Sequence, residues 1–156
     1  MRARVSETFS ICASGVLAAF IAYIFVFYLQ FKFTGHPGSV DLFTTLTDWL
    51  GLQGHEKLMR IGTGSAELVA AILLFIPATQ VVGAALALGI MSGAIFFHLA
   101  TPLGVDPYGD GGVLFKEACA VWLASLVILA IRRRRVIELI ERYAPFLPVP
   151  ARLRAG

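Results

Sequence analysis

Five ionisable residues stand out by type and spacing: Arg60, Glu67, His98, Lys116 and Glu117. Glu67 lies in GTGSAELVAAILLFIPATQ, Gly62 to Gln80, a run otherwise oily enough to sit in lipid. A charge at the bilayer centre costs on the order of 3 kcal/mol on insertion scales, so it turns toward the bundle interior and takes a partner. Arg60 is two helical turns earlier on nearly the same face, with Gly64 between. The expected partner of Glu67 is Lys116, His98 or Arg60. Such a cluster can bind the polar edge of a ligand or move protons. A Glu–Lys or Glu–His clamp can equally do no more than fix helix register, and His98 alone can simply bond a carbonyl.

Other chemistries find less support. Thiol exchange coupled to a quinone needs paired cysteines at one face, commonly C-x-x-C. Cys12 starts span one near the cytoplasm and Cys119 sits in the outer half of span four, on opposite sides of the bilayer, so inert buried thiols are expected rather than a disulfide. His36, His55 and His98 share one side, but without a C-x-x-C-H or i, i+4 pattern for haem. No compact ligand spacing joins them to Asp106 or Asp110, so no metal is expected. A quinone needs aromatic walls and one or two polar groups for its carbonyls. Phe96, Phe97, Tyr108, Phe115 and Trp122 fall near the level of Glu67 and His98, although aromatic residues in membrane helices also serve as plain lipid contacts.

The elements that must hold these residues follow from hydropathy. Of 156 residues 58% are hydrophobic and 15% charged, with mean hydropathy +0.79. Ordinary soluble domains carry roughly a quarter charged residues. The apolar residues form four blocks, 11–29, 58–76, 81–99 and 113–131, each near the length that crosses a bilayer as a helix. The alternation of a membrane β-barrel is absent. The basic start MRAR resembles a signal peptide, but the bulky run YIFVFYLQF has no small-residue cleavage site after it, so the first block is read as retained. The expected fold is all-α: a single membrane domain over 1–156, a four-helix bundle with a short interfacial helix in the first outer loop and a basic tail over 132–156.

Charge sets the expected orientation. Arg2, Arg4, Arg132 to Arg135, Arg142, Arg152 and Arg154 lie on the side of the termini, and only Lys32, Lys57, Arg60 and Lys116 on the other. Lysine and arginine favour the cytoplasmic face. Both termini are therefore expected in the cytoplasm, with the chain in the plasma or inner membrane. The net charge of +3 then reflects topology and points to no nucleic-acid partner. In the tail, Val136, Leu139, Ile140 and Tyr143 recur near helical spacing beside the arginines, as on a helix lying along an anionic leaflet. A solvated flank is the plainer alternative, and Pro145, Pro148 and Pro150 end any helix.

Spans two and three are joined by little more than Pro77 to Gln80, a tight antiparallel hairpin. In the first outer loop Leu42, Phe43, Leu46, Trp49 and Leu50 share a helical face, with Ser39 or Asp41 as a start signal. The second outer loop, TPLGVDPYGDGG, is dense in turn formers and can help cap the bundle. With the outer boundary near Ile61, Glu67 sits about 9 Å deep, at a level shared by His98, Lys116 and Glu117. Small residues at the start of span two, together with Gly83, Gly89 and Gly93 of span three, predict close helix approach.

These features together resemble the DoxX and DoxX-like family of small membrane proteins. The resemblance covers most of residues 11 to 131. It rests on four spans, a short helix in an outer loop, the element from Arg60 to Glu67 in span two, and the glycine-rich third span GAALALGIMSGAIFFHL. It implies a small subunit of a membrane redox system, with a quinone-type or small-ligand site in the outer half and a redox or thiol-stress protein as partner. A second copy of the chain is also an admissible partner. It supplies no agreed catalytic residue beyond the Arg60 and Glu67 match, so no reaction is assigned. The roles expected from the polar cluster itself are proton handling by Glu67 and His98 and charge holding by Arg60 and Lys116. The alternatives are a non-catalytic assembly scaffold and a small-solute transporter, the latter without the repeat or broken helix that transporters use.

Overall fold

Helices form wherever the apolar blocks predict them, because backbone polar groups in lipid must be satisfied within their own segment. The computed structural model describes the backbone over residues 2–143 and side chains over 10–143. Within it run α1 (Arg2–Thr34), α2 (Pro37–Trp49), α3 (Glu56–Phe75), α4 (Gln80–Ala100), α5 (Val113–Ile131) and α6 (Arg133–Tyr143). Ser10–Thr34 of α1, and the whole of α3, α4 and α5, are long and apolar enough to cross a membrane. The protein is a membrane-embedded, all-helical four-helix bundle. The stop signal at Pro145, Pro148 and Pro150, and the tail arginines Arg152 and Arg154, lie outside the described residues, as do the side chains of Arg2 and Arg4.

Around the bundle the helices follow one another as α1, α3, α4 and α5, with α5 closing the ring on α1. The interior favours small residues: Ala18, Ala22, Ala70, Ala71, Ala84, Ala87, Ala118 and Ala124 are buried beside Ile21, Phe25, Leu74, Val121 and Ile128. Large apolar side chains such as Val16, Tyr23, Phe75 and Leu123 face outward. Lipid supplies no hydrophobic drive between helices, so close backbone approach does the joining. Gly83 is the clearest instance, since a Cβ there would stand 2.8 Å from the Leu74 nitrogen and 3.0 Å from the Ala70 oxygen. At this end of the bundle the α3–α4 hairpin is tight, as its short connection predicts.

A buried polar knot fastens the same end. Arg132, just past α5, donates through Nε to Ser14 Oγ of α1 at 3.1 Å and to Gln80 Oε1 of α4 at 3.0 Å. Gln80 in turn donates to the carbonyls of Leu74 and Ser14. The first arginine of RRRR therefore turns inward, while Arg133, Arg134 and Arg135 are exposed. In α6, Val136, Leu139 and Ile140 are half-buried and Tyr143 is exposed.

The opposite end, which carries α2 and the 101–112 loop, departs from expectation in two ways. Span one does not stop at residue 29 but continues as helix to Thr34, because Lys32 finds a buried partner and need not leave the bundle. The short helix begins before Ser39 and Asp41. Pro37 takes its first position, where the missing N–H costs nothing. His36 Nδ1 accepts the Gly38 N–H at 3.3 Å.

Candidate functional site

Lys32 is the residue that organises the site. Its stem crosses α3 at Gly64, where a Cβ would lie 3.4 Å from Lys32 Cβ and Cδ and 3.1 Å from a Phe33 ring carbon. That crossing carries the ammonium to 2.8 Å from Glu67 Oε2, with both side chains largely buried. Beyond this ion pair Oε2 has no hydrogen-bond partner. Lys32 Nζ also sits 5.5 Å from the centre of the Tyr28 ring, where the ring face attracts a cation. Tyr28 lies one turn before Lys32 and donates its hydroxyl to Glu117 Oε2 of α5 at 2.5 Å. A continuous polar belt thus joins α3, α1 and α5.

The belt lines a cavity of about 710 Å³ inside the loop end of the bundle, well within the range of ligand pockets. Buried Ile24, Phe25 and Met91 close it below, and α2 covers it through Ser39, Phe43 and Leu46. Phe27, Phe31, Phe97 and Tyr108 add aromatic surface. His98 lines it from α4, and its Nδ1 donates to the Gly104 carbonyl at 2.6 Å. That bond fixes the tautomer and leaves Nε2 as the nitrogen able to meet a ligand.

The loop over the cavity is built by two aspartates. Asp106 accepts the N–H groups of Asp110 at 2.9 Å and Gly111 at 3.3 Å, and Asp110 Oδ1 accepts those of Gly112 and Val113 at 3.0 Å, capping α5. Gly112 has φ +74°, and a Cβ there would strike the Val105 carbonyl at 2.7 Å. Only glycine fits a left-handed position so tightly enclosed. Desolvation acts upward on the Asp106 carboxyl, but the N–H groups of Gly112, Asp110 and Gly111 outweigh it and hold the group below its ordinary range. Tyr108 donates to the Gly38 carbonyl at 3.0 Å, tying this loop to α2. Burial pushes its phenol up, and the carboxylates of Asp41 and Asp110 act in the same direction.

Of the five residues singled out by type and spacing, Glu67, His98 and Glu117 line this one cavity; Arg60 and Lys116 do not. The partner of Glu67 is Lys32, not Lys116, His98 or Arg60. Lys32 reads as a loop residue until α1 is known to continue through it. Arg60 is buried but already engaged: its Nε bonds Glu56 and its Nη1 bonds the Lys32 carbonyl. It thereby caps one of the open carbonyls in the last turn of α1. Lys116 is exposed and points toward Gly111.

The aromatic set shifts as well. Phe97 and Tyr108 line the cavity, whereas Phe96 is exposed, Phe115 packs its edge against His98, and Trp122 donates to Ser92 Oγ at 2.9 Å. The aromatic surface contributed by α1, including Tyr28, is visible in the sequence only as part of the run YIFVFYLQF. Gly89, Gly93 and Gly62 do not mediate helix contact. They line the cavity, and a Cβ on any of them would meet nothing within 4 Å. His36 reaches the cavity rim, while His55 Nδ1 lies 3.1 Å from the Gln53 carbonyl. Among the described residues no three His, Cys, Asp or Glu side chains gather as a metal site. Comparison with protein-family models, curated proteins and solved structures finds no match for this chain.

Proposed function

We propose that this chain is a DoxX-like small membrane subunit of a redox system and binds a quinone-type ring in the loop-end cavity. One observation carries the reading: an ammonium–carboxylate pair, Lys32–Glu67, and a phenol–carboxylate pair, Tyr28–Glu117, line the same aromatic-walled cavity. A flat ring with carbonyls at its edges matches that lining. Lys32 donates to a ring carbonyl, and aromatic faces hold the ring by offset stacking. Reduction of such a ring takes two electrons and two protons. The electrons come from a partner oxidoreductase, and Glu67 and His98 pass the protons.

Expected orientation fits this use. The arginine excess supports cytoplasmic termini, which sets the cavity under the extracytoplasmic loops of a plasma or inner membrane. The half-buried apolar positions of α6 beside exposed arginines support a helix resting on the anionic leaflet.

Titrating purified wild-type protein with a one-isoprene benzoquinone tests the reading. Glu67→Gln and His98→Ala should each weaken binding by about tenfold, or about 1.4 kcal/mol, while helicity by circular dichroism is retained. Unchanged affinity in folded variants overturns it. A non-catalytic assembly scaffold is the second reading, favoured by Arg60 and Arg132, whose partly buried bonds tie neighbouring helices together. Variants that lower the melting temperature alone, with a partner protein still co-purifying, decide for the scaffold.

A further inference from the structure

The walls of the cavity are unequal. Its polar groups stand mostly on α1, the adjoining face of α3, α5 and, through His98, the loop end of α4, whereas the seam between α3 and α4 is lined by Gly62, Thr63, Ala66, Gly89, Gly93 and Ala94. These helices touch at Gly83, against Ala70 to Leu74. Equal helical rise from that contact sets Gly89 beside Ala66 and Gly93 beside Gly62. In membrane bundles such facing small residues ordinarily bring backbones into contact. Here they do not, since a Cβ added at Gly62, Gly89 or Gly93 meets nothing within 4 Å.

The opening has definite ends. Below it lies the tight Gly83 contact. Above it Trp49 of α2 packs edge-on against Phe96 and Phe97 of α4, with ring centres 6.3 Å and 6.4 Å apart. Between them Gly62 and Gly89 are both exposed and both part of the cavity lining. The seam stands at the level of Glu67, which lines the same cavity while its Oε2 is ion-paired with Lys32.

We propose that the α3–α4 seam is a lateral slot holding the isoprenoid tail of a prenylated ring whose head sits at Lys32, Glu67 and Tyr28. This rests on the ring-binding reading above and adds the ligand's class: a lipid-borne ring that enters sideways from the acyl chains, not a water-soluble one admitted past the loops. The slot is lined by apolar residues and by no hydrogen-bonding side chain other than the Thr63 hydroxyl. An unbranched row of glycines suits a methyl-branched chain, because the missing side chains leave the room its branches need.

Binding of a one-isoprene and an eight-isoprene benzoquinone, measured at one fixed detergent concentration in wild type and Gly89→Leu, tests the slot. The eight-isoprene probe should lose about tenfold or more in affinity in the variant, since the filled slot denies its chain carbons their apolar burial. The one-isoprene probe should stay within about twofold. Gly93→Leu and Gly62→Leu, each with open space for a Cβ, repeat the test should Gly89→Leu fail to fold. Equal losses for both probes, or none for either, in folded variants overturn the slot and leave the ring site standing. Failure of wild type to bind either probe overturns both.

Discussion

At the scale of single residues, the pairing of Lys32 with Glu67 decides how a carboxylate is kept in lipid. Removing one member of a buried pair strands the other, at a cost of about 3 kcal/mol, while removing both is far milder. Lys32→Met and Glu67→Leu should each destabilise the fold by about that amount, and the double variant by clearly less than the sum. Unfolding in mixed micelles measures the cycle, and strict additivity would show that the two groups do not couple. Glu67 is legible in the sequence because an acid in an oily run demands an explanation. Its partner is not, since Lys32 follows Gln30 at the edge of the apolar block, and only the continued helix reveals that its ammonium turns inward. Arg60 misleads in the opposite sense. Its spacing from Glu67 is right for a shared face, but spacing says nothing of Glu56 one turn earlier or of the open carbonyls at the end of α1.

Elements show why glycine cannot be read as one signal. Gly83 and Gly89 sit in the same helix, less than two turns apart, yet one touches backbone and the other touches nothing. Gly83→Ala should push α3 and α4 apart and destabilise the protein by about 1–3 kcal/mol, the usual cost of overfilling a tight contact. Gly89→Ala should instead be neutral, or stabilising by up to about 1 kcal/mol through helix propensity. Thermal unfolding of the two single variants compares them directly, and equal destabilisation would contradict the separation of the seam above Gly83. The spans α3, α4 and α5 are legible to within a residue or two, because lipid leaves the backbone no alternative to helix. The start of α2 is not, because a histidine cap is rarer than the serine or aspartate that the segment also offers.

For the whole molecule, the four apolar helices fix a membrane protein, and charge asymmetry supplies the expected orientation. With Cys12 and Cys119 replaced by serine, a membrane-impermeant maleimide should label Gln53→Cys on intact cells and Arg135→Cys only after permeabilisation. The reverse pattern would invert the assignment and move the cavity to the cytoplasmic face.

The two ends of the bundle are built on opposite plans. One is cinched by the Gly83 contact and by Arg132 reaching into Ser14 and Gln80; the other is hollow and roofed by an amphipathic helix. A bundle so made works like tweezers. With that end clamped, a guest that fills the hollow should shift α3 and α4 near the roof sooner than at Gly83.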